Sequence, residues 1–294
     1  MNRYKDYLLN EGYAPSTVSS NIREVHYFKI WCKKQGETPE GIMYKSILKY
    51  IKHLTGKGNG KRTVNHKLGS LKHYFTYLIE EGLRGNHPLE NTEIKGTQRV
   101  FHYDLLEEEE LEDLYYSYKT EGIKDPYHQL TAKRNKVIVG FMVYQGLGTR
   151  DLSMLKVEDL QLNKGKLYVP STRKSNAREL ELKSWQVMGL MEYQSETRLL
   201  LQKRIENYSE QLFPLNTRFT VITSGIIKKL RNYNRKVENI KQLRASVITN
   251  WLKVYNLRKV QYLAGHRYIS STERYEQDDL ERLEEMIELH HPIK

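Results

Sequence analysis

Apolar residues at Val18, Ile22, Val25, Phe28 and Trp31 recur every three or four positions, which is the spacing of one helical face. Pro15, Ser16 and Thr17 precede them as a start signal. A second run, Tyr44, Ile47, Leu48, Ile51 and Leu54, has the same spacing, and G-K-G-N-G at 56–60 breaks it. A third, Val64, Leu68, Leu71, Phe75 and Leu78, is the clearest. Its opposite face holds Lys61, Arg62, Asn65, Lys67, Lys72 and His73. Glycine and proline at 82–91 end it. The pattern predicts an all-helical bundle over residues 1–91 with a basic face.

Residues 92–104 read as a linker. L-E-E-E-E-L-E-D-L-Y-Y-S-Y then begins a helix with acids in its first turn, where the helix dipole favours them. N-K-V-I-V-G-F-M-V-Y-Q-G-L-G, 135–148, reads as a buried helix ending in glycine. Residues 166–182, K-L-Y-V-P-S-T-R-K-S-N-A-R-E-L-E-L, read as two short strands joined by a polar, basic turn. Three helical stretches follow. The expected fold class is mainly α: a helical bundle, then a mostly helical domain at 105–275 with a small β-hairpin. Residues 276–294 form an acidic tail with Leu280, Leu283 and Ile287 at helical spacing.

Charge sharpens this picture. The chain has 294 residues and a formal charge of +12. Residues 1–100 carry 17 basic and 9 acidic side chains, whereas 276–294 carry 2 and 7. A basic body ahead of an acidic tail points to a polyanionic partner, with nucleic acid first. The single cysteine, Cys32, excludes an intrachain disulfide framework and fits a reducing compartment. No apolar run approaches membrane-spanning length and no secretory leader is visible, so a cytoplasmic, nucleoid-associated protein without a membrane partner is expected.

The candidate chemistry lies near the end, in L-A-G-H-R-Y-I-S-S-T-E-R-Y at 263–275. A tyrosine hydroxyl such as that of Tyr275 can attack a phosphodiester and hold the phosphate covalently. The step needs cationic hydrogen-bond donors where charge develops, and an arginine fork suits a phosphate best. It also needs a proton donor for the departing oxygen. Arg244 stands 22 residues before His266, and Arg173 and Lys174 sit at the tip of the expected hairpin.

These residues resemble the tyrosine recombinase (phage integrase) family. K-Q-L-R (241–244), L-A-G-H (263–266) and S-S-T-E-R-Y (270–275) are similar to that family's H-x-x-R, L-G-H and T-x-x-Y. Residues 12–31 and 61–78 resemble its core-binding domain, and 144–182 its first catalytic segment and hairpin. The resemblance implies a tyrosine recombinase fold and site-specific cutting and rejoining of DNA through a 3′-phosphotyrosine. Tyr275 would be the nucleophile and Arg244 the phosphate clamp, with His266 bonding the phosphate or helping proton movement. Lys174 would be the general acid, with Arg173 as the competing register. Lys61, Arg62, Lys67 and Lys72 would meet phosphates beside Arg173. No metal or nucleotide cofactor is implied. The partner would be duplex DNA held in a C-shaped clamp, with a homotetramer on two sites and room for accessory DNA-bending proteins. The tail would dock in cis or onto a neighbouring protomer. The chain starts at the bundle, so an arm-binding domain is not expected. A mobile-element integrase and a chromosome-resolving recombinase are both open.

Two departures stand out. The family's G-L-R-x-x-E-L reads G-L-G-T-R-D-L here, with Gly148 at the arginine's place and Asp151 at the acid's. Either Arg150 substitutes, or the arginine comes from elsewhere, or it is missing. Lys241 stands where the family has histidine, and a lysine still donates to a phosphate. Gly148 keeps a second reading open, a non-catalytic DNA-binding protein derived from a recombinase. A type IB-like topoisomerase is a third.

Overall fold

The structure is a computed structural model, and it describes residues 2–92, 94–95 and 104–276. The chain divides into two compact units, Met1–Arg99 and Val100–Lys294. Most of the 92–104 linker and the 276–294 tail lie outside the described residues.

The first unit holds four helices: α1 (Asn2–Asn10), α2 (Pro15–Lys34), α3 (Tyr44–Gly56) and α4 (Lys61–Glu80). Pro15 opens α2, where its missing N–H costs nothing. Gly58 stops α3 at φ +78, a left-handed conformation that glycine adopts without a Cβ penalty. The spaced apolar residues of α4 (Val64, Leu68, Leu71, Phe75 and Leu78) are all buried, as are Val18, Val25, Phe28 and Trp31 of α2. Helix α1 was not expected. It buries only Tyr4 and Leu8, too few positions to show a period. Its Tyr4 ring lies 5.1 Å from those of both Tyr74 and Tyr77.

The basic face of α4 is partly turned inward. Lys67 Nζ lies 2.5 Å from Glu24 of α2, and Asn65 exchanges two hydrogen bonds with the backbone of Ile94. Lys72 Nζ donates to the Glu90 carbonyl and His73 bonds Tyr13. Lys61 and Arg62 stay exposed.

The second unit holds α5 (Glu108–Tyr116), α6 (Pro126–Val143), α7 (Thr149–Met154), α8 (Ser184–Glu192), α9 (Arg198–Ile205), α10 (Phe219–Tyr233), α11 (Ile240–Val254), α12 (Leu257–Ala264) and a last helical stretch, 270–276. Six consecutive residues of α6, Ile138, Val139, Gly140, Phe141, Met142 and Val143, are buried on every side. The run V-I-V-G-F-M-V is therefore the centre of the core, with α5, α8, α9 and α11 against it.

A three-stranded antiparallel sheet packs on this core: β1 (Leu160–Gln161), β2 (Lys166–Val169) and β3 (Arg178–Glu181). The predicted hairpin is β2–β3, and the two-residue β1 was not expected. The register pairs Leu167 with Leu180 and Val169 with Arg178. Alternation along β3 puts Arg178 and Leu180 inside and Glu179 and Glu181 outside. A charged residue thus occupies an inward position, 2% exposed. Among the described residues no helix is long and apolar enough to cross a membrane.

Candidate active site

Each site residue is delivered by the end of an element. Helix α11 is capped by Asn239, whose side chain accepts from the N–H of Lys241 and Gln242. That fixes the first turn, and Arg244 follows one turn in. Helix α12 ends at Gly265, φ +69, and the N–H of His266 returns to the carbonyl of Gln261 at 3.0 Å. This glycine-based stop turns His266 back toward the helix, which explains the order L-A-G-H. The stretch 270–276 then carries Thr272 and Tyr275.

Arg244 sits between two loops. Its Nη1 donates to the carbonyl of Gly146 at 2.6 Å, and its Nη2 to that of Ala264. Oδ2 of Asp151 lies 3.6 Å from Arg244 Nη1 and 3.3 Å from both Arg178 Nη2 and the Gly148 N–H. One carboxylate oxygen thus gathers α7, β3 and α11. A guanidinium has five donors, so the carbonyls leave Arg244 with N–H groups to spare. It remains partly accessible, with 18% of its side chain exposed.

His266 stacks on Tyr275, with ring centroids 5.8 Å apart and planes 9° apart. Its Nδ1 shares a hydrogen bond of 2.9 Å with the hydroxyl of fully buried Thr272. Burial first, then the charges of Arg244 and Arg178, push the imidazole's pKa down to about 4 against a smaller opposite pull from Asp151. His266 is therefore neutral near pH 7. The Tyr275 ring rests on the small cluster of Ile248, Val260 and Ala264.

The hairpin tip joins the same place. Thr172 and Ser175 pair across a two-residue turn made by Arg173 and Lys174, both exposed. Ser175 also bridges to His266, the Asn176 N–H donates to the Gly265 carbonyl at 2.9 Å, and Arg267 Nη2 donates to the Thr172 carbonyl at 3.0 Å. The basic turn is thereby stapled to the histidine loop.

Arg244, His266 and Tyr275 come together, and Arg173 and Lys174 are tethered beside them. Lys241 is exposed at the start of α11. Arg150 is exposed in α7, and its side chain makes no ion pair with Asp151 next to it. Sequence reasoning missed Arg178, and it saw Asp151 only as a motif match. The alternation of Arg178, Leu180 and Leu182 was the available signal, since it places the arginine on the apolar face.

The phage integrase family matches residues 104–282, and the phage integrase N-terminal SAM-like domain matches residues 1–82. The chain belongs to the phage integrase family. It is 24% identical to the tyrosine recombinase XerC of Bacillus pumilus, over 98% of this chain and 94% of that one. It is 26% identical to the tyrosine recombinase XerD of Oceanobacillus iheyensis, over 97% and 95%. Among solved structures, the XerH site-specific recombinase bound to a palindromic difH substrate, a post-cleavage complex, shares the fold at a TM-score of 0.72. There the identity is 19%, over 92% of this chain and 78% of that one. The integrase family is thus matched by both units, and the mainly helical fold with its small sheet is that of tyrosine recombinases.

Proposed function

We infer that this phage integrase family member is a site-specific tyrosine recombinase that cuts and rejoins duplex DNA. The convergence of Arg244, His266 and Tyr275 on one corner, braced by Asp151, carries the reading. Tyr275 Oη attacks the scissile phosphorus. A tyrosyl–phosphate bond forms to the 3′ side and the bond to the 5′ oxygen breaks. Neutral His266 takes part in moving the tyrosine's proton, and Lys174, or Arg173 beside it, protonates the 5′ oxygen. Arg244 binds the phosphate and Lys241 adds charge at its rim. Reversal with a new 5′-hydroxyl rejoins the strand, so no external energy source enters.

The active form is a multimer, and a tetramer on two sites suits paired strand exchange. Lys61 and Arg62 contact phosphates, with Lys67 and Lys72 contributing where the bundle frees them. The core-binding unit is residues 1–91 and the catalytic unit 105–275.

The test uses DNA from the flanks of the gene, nicked near the cleavage point so that the 5′-hydroxyl fragment diffuses away. A covalent band on a denaturing gel that vanishes in Tyr275→Phe is the expected result. Tight, site-specific binding with no band would favour the non-catalytic reading. Relaxation of plasmids that lack any specific site would favour the topoisomerase.

A further inference from the structure

Position 148 has no side chain, and Arg150 stands in solvent. The site nevertheless contains a second guanidinium. Arg178 arrives from β3 and none of its side chain is exposed. Its Nη2 lies 3.3 Å from Asp151, its Nη1 reaches only the Asn176 carbonyl at 3.5 Å, and its Nε has no partner. Directly above it is Gly265, where a Cβ would stand 2.4 Å from Nη1. The next residue is His266.

Arg84 and Arg198, which serve packing, look different, although Arg134, also buried, holds only the Asn135 side-chain oxygen. Arg84 donates to four carbonyls, of Asn86, Pro39, Glu40 and Ile42, and Arg198 is held by the carbonyls of Ser209 and Gln211 and the side chain of Gln202. Their forks are filled by the protein. Arg178 is more deeply buried yet has weaker and fewer acceptors. One carboxylate, Asp151, also serves two guanidinium groups, and His266 is neutral. The cluster therefore holds one positive charge beyond its negative charge. Charge withdrawn from water without a counter-ion is costly, and an anion at Arg244 removes that cost.

We propose that Arg178 supplies the second positive charge of the phosphate site from beneath, in place of the side chain that Gly148 lacks. It is a positioning residue. Through Asp151 it sets the Arg244 fork, and its buried charge, one residue from His266, stabilises the negative charge that gathers on the phosphate as Tyr275 attacks. The inference rests on the reading of this corner as a phosphodiester-cleaving centre.

The experiment uses the full chain and a duplex that the wild type selects from a random pool, nicked at successive positions. Two versions carry either the normal scissile phosphodiester or a methylphosphonate, which has no charge. Rates of Tyr275-linked adduct are compared for wild type, Arg178→Gln and the double variant Arg178→Gln with Asp151→Asn. The single variant is expected to lose on the order of a hundredfold on the phosphodiester and far less on the methylphosphonate. The double variant restores the net charge but not the Asp151 brace on Arg244, so it should recover part of the loss. If the single variant does not fold, the double variant is measured directly against wild type, and a loss as large on the methylphosphonate as on the phosphodiester would count against the proposal. Equal losses on both substrates, with no recovery in the double variant, would reduce Arg178 to a packing residue and overturn the proposal. A wild type that gives no Tyr275-dependent adduct at any nick overturns the reading of the site, and the inference with it.

Discussion

Each unit of this protein contains a shielded ionic group, and the two are built on opposite rules. In the bundle, Glu24, 6% exposed, has Lys67 as its one shielded cation, while Arg23 on its other oxygen stands largely in solvent. Burial alone would raise the Glu24 carboxyl, but Lys67 and Arg23 outweigh it and hold the pKa below the ordinary value. In the catalytic unit, Asp151 stands between Arg178 and Arg244. The first group is complete by itself and ties α2 to α4. The second is complete only with something added. A shielded pair of one cation and one anion ties helices together, and on the proposed reading the shielded excess of positive charge around Asp151 is what meets a phosphate.

The largest separation between them should come from Arg244→Ala. It removes the partly accessible fork at the centre of the site, and adduct formation should fall about a hundredfold to a thousandfold in single-turnover cleavage of a nicked duplex. Lys67→Met should do the reverse. It leaves buried Glu24 with only the exposed Arg23, costs up to about 3 kcal/mol read as a lower Tm, and leaves the cleavage rate of the folded protein at saturating DNA near wild type. A catalytic collapse in Lys67→Met with an unchanged Tm would break the comparison.

A smaller effect concerns pH. His266 has a folded pKa near 4 against an ordinary 6.5. Between these values the unfolded chain binds the extra proton and the folded chain does not. Its contribution to stability is thus fully present above about 6.5 and is lost as pH falls toward 4. Chemical denaturation across that window should show stability declining with acid, and His266→Gln should flatten the decline. A slope unchanged by the substitution would assign the acid sensitivity to other groups.

The smallest effect is expected at Arg150. Its side chain is exposed and unpaired with Asp151, so Arg150→Ala should change the cleavage rate by no more than a few fold, as exposed charges commonly do. A hundredfold loss would instead mean that Arg150 folds in when DNA arrives.

Much of this was legible along the chain. Helices α2, α3 and α4 follow from three- and four-residue spacing, because each buries a wide apolar stripe. Arg244, His266 and Tyr275 were readable because the runs K-Q-L-R, L-A-G-H and S-S-T-E-R-Y follow in order at the family's spacing. Helices α1 and α7 and strand β1 are too short to show a period. The role of Arg178 was hidden for another reason. Asp151 lies 27 residues before it and Gly265 far after it, so only the β2–β3 register and the packing of the hairpin on α12 bring them together. Likewise Lys67 read as a phosphate contact on a basic face, since nothing near it in the chain names Glu24 as its partner.

The contact between Gly265 and Arg178 carries a consequence for descent. A methyl group at 265 would collide with Nη1, Cζ and Cδ of Arg178 at 2.4, 2.9 and 3.1 Å. The two positions are 87 residues apart in the chain, yet neither can drift alone while Arg178 stays where it is. In lineages that keep the arginine in this place, a side chain at 265 would have to enter together with a shift of the guanidinium, as well as meet the strain of φ +69.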